Sequence, residues 1–173
     1  MRGTALHGDD MERTFPPVEI ETTTSSHLTT LPDSLLALTL QQPWASAVRD
    51  LGKRTENRSW SPPQRVLGQF IAIHAGMTFR EDAADWLAAR TGRMLTRGNV
   101  PLGAVVALAR VVKVVQEHPD DPWFLGPYGW VLDDVVTLSP VPCRGRQQLW
   151  RISDEVYADI ETQWSNQMSD NSR

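Results

Sequence analysis

The sequence predicts an α+β fold: a small, partly open β-barrel of five to six strands, with two helices inserted early and a third at the C-terminus. Three observations carry this. Short apolar or β-branched runs recur at Leu35–Leu40, Gln69–His74, Gly103–Val115, Gly129–Val141 and Gln148–Ile152. Helical periodicity is confined to two early segments and one late one. The strands are too few and too long-looped for a sandwich, and they do not alternate with helices as a doubly wound sheet requires. Barrels of this kind hold ligands at their mouths.

The elements follow in order. Residues 1–34 read as a disordered tail, because Glu21–Thr30 is almost all Thr, Ser and His, and Pro16, Pro17 and Pro32 interrupt any element. Leu35–Leu40 is a strand. Pro43 suits the first turn of a helix to Leu51 in which Trp44, Ala47, Val48 and Leu51 share a face, and Gly52 supplies the stop. Lys53–Trp60 is polar and extended. Thr78-Phe-Arg-Glu81 has the form of a capping box opening a helix to Arg90, closed by Gly92. Arg93–Pro101 and Glu117–Pro127 are loops on either side of the long strand from Gly103. Ser153 caps a final helix along which Val156, Ile160 and Trp164 recur at helical spacing. The expected organisation is thus a tail (1–34), one domain (35–153), and a helix with its own tail (154–173). That last helix is expected to pack on the barrel; docking a protein partner is the other reading.

Composition narrows the function. The chain has 173 residues and a formal net charge of −4. The charge is unevenly placed. Leu35–Ser153 holds fourteen Lys/Arg against ten Asp/Glu, a balance of +4, and the flanks hold the other three and eleven, a balance of −8. A mildly basic body permits polyanion binding without requiring it. One cysteine, Cys143, leaves no internal disulfide and no cysteine-based zinc site, and neither a metal nor a cofactor is expected. No apolar run is long enough to span a membrane, since Arg110 and Lys113 break the longest. The first ten residues lack the apolar stretch of a signal peptide, so a cytoplasmic location is expected.

The segments Leu38-Thr-Leu-Gln-Gln-Pro-Trp-Ala45 and Gly52-Lys-Arg-Thr-Glu-Asn-Arg-Ser-Trp60 resemble the opening of ASCH domains (activating signal cointegrator homology), members of the PUA-like superfamily. That family's pattern has a strand, Gln-Pro-Trp-Ala at a helix start, then Gly-x-Lys-x-x-Glu-x-Arg-Ser-Trp. Ile71–Ala75, Pro101–Val106, Gly126–Leu132, Gly145 and Leu149–Ile152 are similar to later family segments in the same order. The resemblance implies a PUA-like fold that binds RNA or a modified nucleoside. It also implies a cleft lined by Lys53 and Glu56, with Tyr128 and Trp130 near its mouth.

Physically, Lys53 can pair with a phosphate or a base carbonyl, or serve as base or nucleophile if desolvated. It can equally be a lysine complementing a helix C-terminus. Glu56 can accept from a base amino group, act as acid or base, or neutralise Arg58 or Lys53. In a regular strand positions 53 and 56 face opposite sides, so the two meet only if Lys53 precedes the strand or the chain bends near Arg54. Arg58, Arg144 and Arg146 are candidate phosphate contacts. Seven tryptophans suit base stacking or a core. Of these, Trp44 and Trp150 are assigned to the core, whereas Tyr128 and Trp130 stand between core and pocket. His74 reads as a satisfied structural histidine.

The leading expectation is an RNA- or nucleoside-binding domain with a regulatory or RNA-metabolism role. The alternative is a small nucleoside amidohydrolase or ribonuclease using Lys53 with Glu56 or Thr55. ASCH-like deacylases pair a lysine with a threonine three residues on and a glutamate on a later strand. Here Glu56 occupies that threonine position, and the strand from Gly103 to Val115 contains no acid.

Overall fold

The structure, a computed structural model, describes residues 31–171; most of the expected N-terminal tail lies outside the described residues. Its elements are β1 (Leu36–Gln42), α1 (Trp44–Asp50), β2 (Thr55–Arg58), β3 (Phe70–Phe79), α2 (Glu81–Thr91), β4 (Ala104–Val115), β5 (Tyr128–Pro142), β6 (Leu149–Arg151) and α3 (Asp154–Asn171). The strands form one six-stranded mixed sheet in the order β2-β5-β4-β3-β1-β6. β1 and β3 pair in parallel, and the other neighbouring strands pair antiparallel.

The sheet curls without closing. Three register shifts along β4–β5 and one between β3 and β4 bend the long strands, as bulges do. The curl brings β2 round towards β1, where Arg58 Nη2 donates to the Thr39 carbonyl at 2.9 Å. That bond spans a seam, because β6 pairs only with Leu36–Leu38 and leaves the remainder of β1 facing β2. The result is an α+β barrel open along one line.

Both faces of β1 over Leu36–Leu40 and of β3 over Phe70–Gly76 are largely buried, which explains their apolar runs. Leu38, Leu40, Ile71 and Ile73 point into the curl with Val48 of α1 and Trp130 of β5. Their neighbours Ala37, Phe70 and Ala72 lie on the other face beneath Ile160 and Trp164 of α3. Ser153 caps α3, its Oγ accepting from Val156 N at 3.3 Å. The expectation that this helix packs on its own barrel therefore describes the structure.

Two local readings are corrected. The Thr78 capping box does not form: Thr78 lies within β3, and Arg80 is the N-cap, with no side-chain cap hydrogen bond. β3 runs to Phe79, not His74, because Phe79 still pairs with Gln42 of β1 and Arg80 N donates to the Gln42 carbonyl at 2.7 Å. Partner strands, not apolarity, carry its last three residues, of which Met77 and Thr78 are exposed. The stops at Gly52 and Gly92 are as expected, with left-handed φ of 71° and 67°.

Candidate functional site: a tryptophan-walled cleft over a buried ion triad

Gln42 sets the first wall. Its buried amide accepts from Ser46 N at 3.0 Å, fixing the start of α1, and donates to the Pro101 carbonyl at 2.7 Å. Trp44 thereby opens the helix facing outwards. At the other end of α1 the amides of Leu51 and Lys53 both reach the Ala47 carbonyl, at 3.1 Å each, so the chain folds back at Gly52. Lys53 therefore precedes β2, the condition under which it can share a side with Glu56.

The pair does meet. Lys53 Nζ lies 2.6 Å from Glu56 Oε2 and donates to the Thr55 carbonyl at 2.5 Å, and the two residues are only 2% and 7% exposed. The other carboxylate oxygen, Oε1, sits 3.2 Å from Arg58 Nε. The ammonium also lies 5.9 Å from the centroid of the Trp44 ring. Both oxygens of the glutamate are thus occupied by cations, and the triad Lys53–Glu56–Arg58 sums to +1.

Two more tryptophans complete the cleft. Trp86 of α2 meets Trp44 edge-on at 5.7 Å and tilts against Trp123 at 5.8 Å. Behind it the Arg90 guanidinium stacks at 4.2 Å. Trp123 comes from the β4–β5 loop, which β2 holds at two points. Asp121 accepts from Thr55 Oγ1 and from Trp123 N, the latter at 2.8 Å. Asn57 donates to the Trp123 carbonyl at 2.8 Å and accepts from Leu125 N at 2.7 Å. The three rings form walls of an open cleft of about 380 Å³ above Lys53, Glu56 and Asn57, rimmed also by Arg80, Asp82 and Leu125, with room for one flat heterocycle.

The remaining candidates fall elsewhere. Thr55 is buried and engaged by Asp121, away from the cleft lining. Trp130, expected near the mouth, is fully buried: its indole N–H donates to the Trp60 carbonyl at 3.1 Å, and its ring meets Trp60 edge-on at 4.8 Å. It fills the barrel interior and offers a ligand no face. Tyr128 stands half-buried opposite Arg58 in the β2–β5 ladder and does not line the cleft. Arg144 and Arg146 are exposed on the β5–β6 loop, beside a further cavity bordered by His74, and neither lines the tryptophan cleft itself. Trp44, assigned to the core, does pack half-buried against it, and its remaining face also walls the cleft.

His74 is only half satisfied. Its Nε2–H donates to the Cys143 carbonyl at 3.1 Å and its ring packs on Trp150, but Nδ1 has no partner among the described residues. Burial lowers its pKa below the usual 6.5, the carbonyl bond opposing that only in part. The sequence reading missed Trp86, Asn57 and Asp121. Trp86 had a signal: it stands between buried Ala84 and Leu87, with Arg90 one turn on.

No helix among the described residues is long and apolar enough to cross a membrane, and no cluster of three or more His, Cys, Asp or Glu is placed to hold a metal ion.

Fold and site together define an open α+β barrel with an aromatic-walled cleft. No family model and no curated protein matches the chain. Among solved structures it is similar to the crystal structure of ASCH from Zymomonas mobilis, at 16% identity and a TM-score of 0.46, over 73% of this chain and 93% of that one. A mutant of the same Zymomonas mobilis protein gives 16% identity and a TM-score of 0.44, over 73% and 94%.

Proposed function

We propose that the chain is an ASCH-type, PUA-like domain that binds RNA or a modified nucleoside, taking one base into the tryptophan cleft, in a regulatory or RNA-metabolism role. The observation that carries this is the meeting of Trp44, Trp86 and Trp123 around a floor of Lys53, Glu56 and Asn57. Aromatic walls select flat rings. The charged residues lining the cleft, Lys53, Glu56, Arg80 and Asp82, balance to zero, so the flat walls, not net charge, set the preference for a neutral ring. Asn57 adds a polar group at the same wall. The motif resemblance, which runs through the same Lys53–Arg58 segment, supports the reading independently.

Binding is favoured over catalysis by the state of the candidate groups. The Lys53 ammonium is held by a carboxylate and a carbonyl, Glu56 has both oxygens paired, and Thr55 is turned to Asp121. None is poised as a free nucleophile or base.

The test is quenching of tryptophan fluorescence by nucleosides. Saturable quenching is expected, and Trp86→Ala should weaken it by about 1–3 kcal/mol, the loss of one stacked base. No quenching by any nucleoside, or an unchanged affinity in Trp86→Ala, overturns the reading. Incubation with N4-acetylcytidine should release no cytidine; release would restore the amidohydrolase.

A further inference from the structure

The tryptophan cleft is one end of a longer path. It shares Trp44, Glu56 and Asn57 with a second cavity of about 430 Å³, which follows the seam where the sheet fails to close. That cavity shares Thr39, Arg146 and Gln147 with a third, of about 620 Å³, between His74 and the β5–β6 loop. The three therefore lie side by side, each bordering the next through shared residues. The seam exists because β6 is three residues long and stops at Leu38, so Leu40 and Gln41 of β1 border open space opposite Arg58 of β2.

The chemistry changes along this path. The tryptophans cluster at the first end. The seam is lined by amides and guanidinium groups, from Gln41, Gln147, Gln148, Arg58 and Arg146. Across the three cavities the charged lining residues are five cations (Lys53, Arg58, Arg80, Arg144 and Arg146) and two anions (Glu56 and Asp82), a balance of +3 on a chain whose total is −4. A positive, hydrogen-bonding channel leading from one aromatic box is complementary to a backbone of phosphates and sugars from which one base has turned aside.

Resting on the base-binding reading above, we infer that the seam is the track for a single-stranded polynucleotide: one base enters the tryptophan cleft, and the adjoining sugar-phosphate backbone lies along Arg58 and Arg146 towards Arg144. A duplex does not fit this arrangement, because its bases are stacked and paired and expose no face to the box.

The experiment compares, by fluorescence titration at several salt concentrations, a free nucleoside, single-stranded RNA and DNA of about six nucleotides, and the corresponding duplex. The single strand is expected to bind at least about tenfold tighter than the nucleoside at low salt, with affinity falling as salt rises. Arg144→Ser/Arg146→Ser should reduce the salt slope by roughly 1.4, at about 0.7 per phosphate contact on a single strand, and leave nucleoside affinity unchanged. Tight binding of either sugar type supports the track, their ratio assigning the natural strand. A nucleoside that binds while the single strand binds no tighter overturns the track and leaves the base-binding reading intact. So does an unaltered salt slope in the double variant, or a duplex bound as tightly as the single strand. If neither nucleoside nor strand binds, both readings fail.

Discussion

Removing one partner from the buried triad is the sharpest physical test of the site. In Lys53→Met the methionine keeps most of the side-chain length but removes the ammonium that sits 2.6 Å from Glu56 Oε2 and 2.5 Å from the Thr55 carbonyl. Breaking a buried pair at one end typically costs about 3–5 kcal/mol, because the remaining charge is stranded. Arg58, 3.2 Å from the other carboxylate oxygen, stays in place and moves the expectation to the lower end, about 3 kcal/mol. Glu56→Gln strands the ammonium instead and should cost about as much. Lys53→Met/Glu56→Gln removes both members of the 2.6 Å pair and leaves only the partly exposed Arg58 without its carboxylate, so its loss should fall short of the summed single losses by roughly 1–3 kcal/mol, the coupling of directly paired groups. Thermal unfolding of the four proteins is the assay, with each single variant lowering Tm by roughly 6–12 °C. Single losses below about 1 kcal/mol that simply add in the double variant would mean that solvent screens the pair. The floor of the cleft would then not be a preorganised buried network.

Other substitutions test the surroundings. Gly145→Ala places a Cβ 2.4 Å from His74 Cε1 and 3.0 Å from Thr39 Oγ1, so about 1–3 kcal/mol of stability should be lost to overpacking, read as a lower Tm. Because burial lowers the His74 pKa in the fold, the unfolded chain takes up a proton first as pH falls. Its effect on stability should therefore be flat above the ordinary value of 6.5. It should decline below that value and level off beneath the folded pKa, a loss that urea titrations show as absent in His74→Gln. Ile160→Ala, at a fully buried position on α3, should cost about 2–5 kcal/mol in chemical denaturation. A helix serving only to dock a partner would instead leave stability unchanged.

Much of the architecture was legible in the chain because local rules govern it. The apolar runs marked the strands, Gly52 and Gly92 marked the helix stops with left-handed φ, and Ser153 marked a cap. Local rules failed where a partner strand decided the outcome. Thr78 and Glu81 have capping-box spacing, but pairing of Phe79 with Gln42 keeps Thr78 in β3. The Lys53–Glu56 pair could be named from its motif, with the condition that Lys53 precede the strand. That condition is met only because Gly52 turns the chain back onto the Ala47 carbonyl.

The sequence by itself determined the fold class, the order of the elements and the cation–carboxylate segment at residues 53–58. These depend on periodicity, capping and spacing along one stretch of chain. It did not determine which tryptophans face a ligand. Trp44, Trp86 and Trp123 come from α1, α2 and the β4–β5 loop, and they meet because the sheet curls and β2 clamps that loop through Asn57 and through Thr55 to Asp121. Trp130, three residues beyond the loop that ends at Pro127, faces inwards because the curled sheet needs a large ring to fill its interior. An indole carries no mark of inside or outside in its own neighbourhood; only closure of distant strands around it assigns the face.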